Sequence, residues 1–374
     1  MKVIFPIFAF YPAQLGGPCN TIYWQAKNLI KKNIRCLVIT RNIGIEQYDI
    51  KFNTSVNIDD IETYFNHESK FIPVRSIYRL FTEIQKKDII HLSSFFLPIT
   101  IPSIIIAKIN GNKIIISPRG ELSPNAIKYK SIYKLFYLNF IKIISSGIYF
   151  HSTSNQETFD IKKYFNKNII KQLPNYIELE NKINQPVSNN LLFIGRIHPI
   201  KAIENLISAI SLTTIFKEKD FKLLITGPIE DFDYYHSLKA LIIDLNLSNS
   251  VKFLDPVKGI EKKNLYASSY LTILPSHSEN FGNVVVESLN MGTPVIASLG
   301  TPWKILNQNN AGLHVKNSPK ALSEAIDSIL KLKEEDYQEM RVNSINLVEN
   351  EFSIQKNINK WESFYKEIND EKDR

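Results

Sequence analysis

The sequence has 374 residues, of which 44% are hydrophobic and 22% are charged, and its formal net charge is +8. This is globular composition, which excludes a collagen-like or intrinsically disordered chain, and the length favours two domains over a single core. Only two cysteines occur, Cys19 and Cys36, which excludes a disulfide framework or a Cys-x-x-Cys metal cluster and predicts a reducing cytoplasm as the setting.

The positive charge is concentrated in the N-terminal half. Residues 1–171 contain 23 Lys+Arg against 11 Asp+Glu, whereas the rest of the chain contains 22 against 26. This asymmetry favours an anionic surface as a partner, either phospholipid headgroups or nucleic acid. An A+T-rich genome would also raise the lysine content without any functional cause. Nucleic acid is not expected as a partner, because no motif of a known binding module occurs.

Two apolar stretches resemble membrane or targeting segments at first sight. The opening residues, MKVIFPIFAFYPAQLGG, are broken by Pro6 and Pro12 and lack a small-x-small cleavage site, so they predict a buried first strand rather than a signal peptide. Residues 89–107 carry no charge, but His91, Pro98 and Pro102 argue against a continuous membrane helix. We expect a strand, a loop and a helix start there.

Short apolar or β-branched runs alternate with amphipathic segments along the chain, which is the rhythm of a parallel α/β sheet. The predicted strands are residues 3–8, 36–40, 89–92, 113–117 and 147–151, and then 191–194, 222–226, 251–254, 271–274 and 295–297. A linker rich in Pro and Asn separates the two series. The sequence thus predicts two doubly wound domains, residues 1–172 and 173–352, and a closing amphipathic helix within 353–374.

Ligands of parallel sheets bind beyond the carboxyl ends of the strands, so the residues that follow strands are the informative ones. Gly16 and Gly17 follow the first strand and precede a helix, where paired glycines let the backbone approach a phosphate. The G-x-G-x-x-G fingerprint and its distant acid are missing, so a nicotinamide enzyme is not expected. A simple tight turn remains the alternative.

The first strand of the second series is followed by GRIHPIK, which contains Arg196 and Lys201 and leads into a helix near Ala202. Two fixed cations at a helix start would neutralise a diphosphate, because Arg binds it through a planar fork and Lys adds a point charge. The alternative is a solvated loop.

The stretch HSENFGNVVVESLNMGTPVIAS places two acids on either side of a turn. Glu279 lies in the loop after a strand, and Glu287 lies just over one turn into the helix that starts at Gly282-Asn283, on the same side. A carboxylate accepts two hydrogen bonds from vicinal hydroxyls, so one acid suits a hexose and the other a ribose. The helix-start amides between them suit a phosphate. Two solvated acids with a capping role are the alternative.

At this point the sequence resembles the retaining glycosyltransferases of sequence family 4, which have the GT-B fold of two Rossmann-like domains facing each other across a cleft. The resemblance covers nearly the full chain and is carried by IGRIHPIK, LLITGP, LPSHSENFGNVVVESLNMGTPVIAS, GTPWKIL, SPRGELSP and FHSTSNQE. It implies an α/β protein with an acceptor-side N-terminal domain and a donor-binding C-terminal domain. It also implies a nucleotide diphosphate sugar as the donor, with no cofactor.

The resemblance assigns roles to the motif residues. Arg196 and Lys201 are expected to hold the donor diphosphate, Glu279 to contact the transferred sugar and Glu287 to bind the ribose. The expected phosphate and sugar contacts from backbone are Asn280, Phe281, Gly282 and Asn283 in the second domain and Gly16 and Gly17 in the first. The expected catalytic residues are thus Glu279, Arg196 and Lys201.

The first domain departs from the family pattern, because many members have a His where this sequence has Pro118-Arg119-Gly120-Glu121. We expect Arg119 to contact the acceptor or a phosphate. His91, at the end of its strand, is predicted to be a substrate-binding pocket residue, with a hydrogen-bonded core histidine as the alternative.

The sequence therefore predicts a hexosyltransferase that moves a sugar, with retention, to a glycan or lipid-linked acceptor of a bacterial surface polysaccharide such as capsule, O-antigen or exopolysaccharide. The alternatives are a nucleotide-sugar epimerase of similar fold and a catalytically silent sugar-nucleotide-binding subunit. No metal is expected, because the one D-x-D, Asp231-Phe232-Asp233, fits a solvated turn.

Residues 124–145 contain four lysines and no acid, together with aromatic and aliphatic residues at helical spacing. Such a helix can lie on an anionic bilayer and would place a cytoplasmic enzyme at the inner face of the plasma membrane. The alternative is an ordinary helix that buries its apolar stripe in its own domain.

Overall fold

The computed structural model describes residues 1–13, 17–69, 72–128, 131–179 and 183–371, so Gly16 lies outside the described residues. The chain divides into two compact units: Met1–Glu178 together with Ile354–Arg374, and Leu179–Ser353. Each unit has its own sheet and its own hydrophobic core.

The first unit contains an eight-stranded sheet with the order β3-β4-β2-β1-β5-β6-β7-β8, which is parallel except for the β3–β4 pair. Its strands are β1 Lys2–Pro6, β2 Arg35–Arg41, β3 Ser55–Ile58, β4 Ile61–Asn66, β5 Ile89–Leu92, β6 Lys113–Ile116, β7 Ile148–Ser152 and β8 Ile170–Gln172. Its helices are α1 Gly17–Ile30, α2 Val74–Glu83, α3 Thr100–Asn110, α4 Pro124–Lys128, α5 Ser131–Ile143, α6 Asn155–Lys162 and the last helix of the chain, α15 Ile354–Asp370.

The second unit contains a six-stranded parallel sheet with the order β11-β10-β9-β12-β13-β14. Its strands are β9 Asn190–Ile194, β10 Lys222–Thr226, β11 Val251–Leu254, β12 Leu271–Leu274, β13 Val295–Ser298 and β14 Gly312–Val315. Its helices are α7 Ile203–Leu212, α8 Thr214–Glu218, α9 Phe232–Asp244, α10 Gly259–Ser268, α11 Asn283–Asn290, α12 Ile305–Gln308, α13 Pro319–Leu330 and α14 Glu334–Leu347, with a 3-10 turn at Pro199–Lys201 and a π-helical turn at Val348–Phe352.

Successive side chains of a strand point to opposite faces of the sheet, and in the first sheet helices cover the apolar side chains on both faces. Val3 and Phe5 of β1 point into the core that α1 and α15 close, whereas Ile4 packs with α2, α3 and α5 on the other face. The predicted strands are confirmed to within two residues at their ends. Among the described residues, no helix combines the length and apolarity needed to span a membrane.

The strand order fixes where a ligand would bind. In the first sheet the chain runs outward from β1 in one direction and resumes on its other side at β5; in the second sheet the same reversal falls between β9 and β12. Loops at such a reversal diverge and leave a crevice beyond the carboxyl ends of the strands. In the second unit the predicted site residues follow β9 and β12; in the first, Gly17 follows β1, His91 lies within β5 and Arg119 follows β6.

Candidate functional site

Lys201 and Glu279 meet at the strand reversal of the second sheet. Lys201 ends the 3-10 turn after β9, and the left-handed backbone of Ala202 (φ 50°) redirects the chain into α7. The Lys201 ammonium forms an ion pair with Oε1 of Glu279, in the loop after β12. Ser276 donates a hydrogen bond to the same oxygen at 2.9 Å. Both charged side chains are largely buried, 12% and 14% exposed, so they form a preorganised pair of opposite charges.

Backbone contacts hold the Glu279 loop in place. The His277 amide donates to the carbonyl of Ile200 at 2.9 Å, and the Glu279 amide donates to the carbonyl of Gly300, after β13, at 2.9 Å. Gly300 is required for this approach, because a Cβ there would lie 2.3 Å from the carbonyl oxygen of His277. The loops after β9, β12 and β13 are thereby joined around the carboxylate.

Arg196 is predicted to hold the donor diphosphate, and within the protein its guanidinium pairs with a carboxylate. Its Nη1 contacts Oε2 of Glu230, in the loop after β10, at 2.7 Å. The two side chains are 53% and 41% exposed. Water screens this pair, so it contributes little to stability and exchanges readily for another anion.

Glu287 is held from α10. Lys262 Nζ lies 2.5 Å from its Oε2, and the Tyr266 hydroxyl donates to the same oxygen at 3.2 Å. Lys262 and Tyr266 are four residues apart and therefore project from the same side of α10. Burial, followed by the charge of Glu287, raises the pKa of the Tyr266 phenol well above its usual range, which keeps this hydroxyl a donor. Both contacts use Oε2 of Glu287. Its other oxygen, Oε1, has no hydrogen-bond partner among the described residues.

The turn from Asn280 to Asn283 forms the start of α11. Gly282 occupies the N-cap position with a left-handed backbone (φ 79°), which glycine adopts without steric cost. The Phe281 side chain is buried against Trp303 and Phe352, and the Trp303 indole donates to the Phe281 carbonyl at 2.5 Å. Phe281 can therefore offer only backbone atoms to a ligand.

In the first unit, Gly17 begins α1 directly after the loop that follows β1. Its carbonyl accepts a hydrogen bond from the Thr21 hydroxyl at 2.9 Å. The N-terminus of α1 therefore lies at the strand reversal of this sheet, which is the position that the predicted phosphate contact requires. The phosphate contact itself stays a prediction.

His91 belongs to a buried chain of hydrogen bonds. His151 Nε2 donates to the Leu173 carbonyl at 2.8 Å, so its Nδ1 must accept from Ser117, also at 2.8 Å. Ser117 in turn accepts from His91 Nε2 at 2.7 Å, and His91 Nδ1 accepts from the Tyr365 hydroxyl at 2.6 Å. The Leu173 carbonyl thus sets the tautomer of both the His151 and the His91 ring.

Both histidines are neutral. Burial, with the neighbouring His151 and the charge of Arg119 as lesser causes, lowers the pKa of His91 well below its usual range. Burial, followed by the Arg119 charge, lowers the pKa of His151 to about 3. Because both ring nitrogens of His91 are occupied and its side chain is fully buried, this geometry matches the core-histidine alternative rather than a pocket residue.

Arg119 lies at the carboxyl edge of the first sheet with a left-handed backbone (φ 56°). Its Nε donates to Ser93 Oγ at 3.1 Å and its Nη1 to Asn175 Oδ1 at 2.6 Å. Burial lowers the pKa of this guanidinium. Its Nη2 is buried and has no partner among the described residues. The contact of Arg119 with the acceptor or a phosphate stays a prediction.

Sequence reasoning missed Glu230, Lys262, Tyr266 and Ser276, which hold the predicted residues in place. Two local signals were present: the Lys262–Tyr266 spacing on one helix, and Ser276 three residues before Glu279 in the same loop. Glu230 is distant in sequence from Arg196. Asp231 of the D-x-D caps α9 by accepting from the Tyr234 amide at 2.9 Å, which gives this residue a structural role.

Part of the second unit matches a known family model. Residues 176–346 match the family model described as "Glycosyl transferases group 1". An uncharacterized glycosyltransferase of Methanocaldococcus jannaschii is 27% identical over 352 residues, which cover 89% of this chain and 90% of that protein. A second one from the same organism is 30% identical over 192 residues, but the match spans only 51% of this chain and 45% of that protein.

Solved structures share the fold. Sucrose-phosphate synthase of Thermosynechococcus elongatus superposes with a TM-score of 0.77 at 17% identity, over 98% of both chains. HepE of Anabaena, solved with UDP and glucose, gives 0.77 at 17% identity over 97% of this chain and 100% of that one. At such identities the likeness establishes the fold, and the predicted GT-B architecture is confirmed.

Proposed function

We propose that the protein is a retaining glycosyltransferase that uses a nucleotide diphosphate sugar, because residues 176–346 match the glycosyl transferases group 1 model and the chain has the GT-B fold. The observation that carries the proposal is the Lys201–Glu279 pair at the strand reversal between β9 and β12. Several neighbours of the same fold were solved with UDP or UDP-sugars, which supports this class of donor.

The ion pairs of the site define which contacts the donor would exchange. Lys201 leaves Glu279 and, together with Arg196, neutralises the diphosphate. Glu279, released from its cation, accepts hydrogen bonds from hydroxyls of the transferred sugar. Glu287 keeps Lys262 on Oε2 and offers Oε1 to the ribose. The two cations exchange a carboxylate for the diphosphate, Glu279 exchanges its cation for hydroxyl donors, and Glu230, which is 41% exposed, is left to water.

Catalysis in this scheme is electrostatic. Cleavage between the anomeric carbon and the diphosphate builds negative charge on the departing oxygens, and cations already in place stabilise this charge more in the transition state than in the bound donor. The acceptor hydroxyl attacks from the leaving-group face, and a diphosphate oxygen takes its proton. This gives retention without a protein nucleophile or a metal ion.

For the acceptor we propose a glycan or lipid-linked glycan of a bacterial surface polysaccharide, bound at the carboxyl edge of the first sheet in the cytoplasm. Arg119 lies at this edge and is the proposed contact for an anionic acceptor group, which would have to reach its buried Nη2. The phosphate linkage of a lipid carrier would supply such a group.

The test begins with a thermal-shift panel of UDP-, GDP- and ADP-sugars, since a cognate donor stabilises the protein by mass action. Release of nucleoside diphosphate is then measured with a cell-envelope extract as the source of acceptor. Lys201→Met and Glu279→Gln should lower turnover by at least about 100-fold, because each removes a group aligned with the reacting centre. Lys239→Met, at an exposed lysine of α9, is the matched control.

The outcomes separate the alternatives. Wild-type turnover in both site variants would refute the assignment of these residues. Conversion of the donor to a sugar epimer without release of nucleoside diphosphate would identify an epimerase. Donor binding with no turnover in any extract would identify a silent binding subunit.

A further inference from the structure

One face of the first sheet is covered by helices that are apolar on both sides. The inner sides of α2, α3 and α5 supply Leu80, Ile104 and Ile141 to a common core with the strands. Their outer sides carry a second set of large hydrophobic residues that no part of the described chain covers. We call this outer surface the α2–α3–α5 face.

Helix α5 contributes the largest share of this face. It buries Leu138 and Ile141, but Tyr133 is 81% exposed, Phe136 75% and Ile143 82%. The helix therefore does not bury its whole apolar stripe in its own domain, which was the alternative to a surface role. Such side chains cost free energy in water, and a cluster of them on one helix is typical of a docking site.

The other two helices continue the surface. On α2, Val74, Tyr78 and Phe81 are 62%, 63% and 67% exposed, and on α3 Ile109 is 82% exposed. Of the 24 large hydrophobic residues that are exposed in the described chain, 13 lie between residues 72 and 159. Eleven of these 13 lie on α2, α3 and α5.

The charge on this part of the chain is almost entirely positive. Residues 72–147 contain 11 Lys+Arg and three acids. Glu83 contacts Arg79 at 3.6 Å, and Asp88 contacts Lys2 at 3.2 Å. Glu121 accepts hydrogen bonds from the backbone of the loop after β5 and is not aimed at solvent. The Arg119 guanidinium is buried and Lys113 lies in the sheet, so the exposed helix lysines Lys108, Lys128 and Lys142 make this surface positive.

Lysines accompany the apolar side chains at the ends of the helices. Lys108, near the end of α3, lies beside Ile109, and Lys142, at the end of α5, lies beside Ile143. Lys128 is exposed at the end of α4. Long lysine side chains next to exposed apolar groups let the apolar part enter a hydrocarbon layer while the ammonium stays at its polar surface.

We propose that the α2–α3–α5 face binds the surface of an anionic phospholipid bilayer. The apolar side chains would enter the boundary between headgroups and acyl chains, and the lysines would contact lipid phosphates. A second copy of the same face is disfavoured as the occupant, because dimerisation would bring two positive surfaces together. This inference goes beyond the transfer reaction and does not depend on it.

The test is vesicle sedimentation of the full chain with phosphatidylcholine alone and with phosphatidylcholine containing roughly a third phosphatidylglycerol, at about 0.1 M and about 1 M NaCl. The proposal expects binding to the anionic vesicles only and loss of most binding at high salt. Lys128→Gln and Lys142→Gln should each lower partitioning about fivefold. Phe136→Ser with Ile143→Ser should lower it at least about tenfold.

The matched control is Phe232→Ser with Ile243→Ser, which removes two residues of similar exposure, 64% and 66%, from α9 of the second unit. Circular dichroism melts verify that all variants fold. Equal binding to neutral and anionic vesicles, or equal loss in the α5 and α9 variants, overturns the proposal. So does a dimer in solution that dissociates when Phe136 and Ile143 are replaced, since the face would then be a self-interface.

Discussion

Replacement of Lys262 by Met tests the proposed ribose contact without touching the donor diphosphate. The Lys262 ammonium lies 2.5 Å from Oε2 of Glu287, and the side chains are 25% and 18% exposed. A hydrogen bond to a charged group contributes about 1.5–3 kcal/mol, and partial solvent screening reduces this to about 1–2 kcal/mol. Because Met cannot donate this hydrogen bond, Glu287 is less firmly oriented in the variant, and we expect donor affinity to fall about 5–30-fold.

The assay separates orientation of the ribose from catalysis. Steady-state kinetics with the donor identified by thermal shift should give a higher KM for Lys262→Met and an unchanged kcat, because ribose contacts are the same in the bound donor and in the transition state. Tyr266→Phe removes a neutral donor at 3.2 Å and should have a smaller effect in the same direction. Lys252→Met, at an exposed lysine of β11, should leave both constants unchanged.

Two results would refute this reasoning. An unchanged KM in Lys262→Met would mean that Glu287 is oriented without its cation or does not bind the donor. A fall in kcat with constant KM would place Lys262 in the chemical step instead. Titration calorimetry with the nucleoside diphosphate alone checks the affinity independently of turnover.

Three further predictions concern other parts of the structure. Arg196→Ala should change the free energy of unfolding by less than about 1 kcal/mol, since its pair with Glu230 is half exposed, but should lower turnover about 100-fold or more; a lower Tm with normal turnover would contradict this. Gly300→Ala should cost roughly 1–3 kcal/mol in urea unfolding and weaken donor binding, because the new Cβ displaces the His277 backbone; wild-type values would disprove the contact. Stability should fall with acid between pH 6.5 and about 3, because His151 takes up a proton in the unfolded chain but stays neutral when folded; the slope, at most about 1.4 kcal/mol per pH unit for each such histidine, should be shallower in His151→Gln, and an equal slope would exclude this origin.

Five of the six strands of the second sheet were predictable because they are short apolar runs between helices of clear amphipathic spacing, whereas β14, Gly312–Val315, was not predicted. The β3–β4 hairpin was not predicted. Its turn uses Asp59 and Asp60, both with positive φ (50° and 69°), as a type I′ turn needs, whereas the usual sequence signal for such a turn is Asn-Gly or Asp-Gly. β3 has only four residues, and its alternation of polar and apolar side chains was too short to predict a strand by itself.

In the candidate site, the residue types that follow the strands were predictable, but their partners were not. The strand pattern placed Lys201 and Glu279 at one sheet edge, and the structure joins them directly. No local pattern indicated that Arg196 pairs with Glu230 or Glu287 with Lys262, because these partners come from separate loops and helices. The partner of His91 was equally unpredictable, because its Nδ1 accepts a hydrogen bond from Tyr365, which lies 274 positions later in the chain.

The place of α15 in the first unit has a consequence for biosynthesis. Trp361, Phe364 and Tyr365 complete a core whose other residues come from the earlier part of the chain, and the Tyr365 hydroxyl supplies the hydrogen bond that His91 needs. While the chain emerges from the ribosome, the first sheet is made early but keeps one face open until α15 has been synthesised. The second unit, encoded in one continuous stretch, can fold first. A nonsense mutation near residue 354 would therefore harm the part of the molecule that was synthesised earliest.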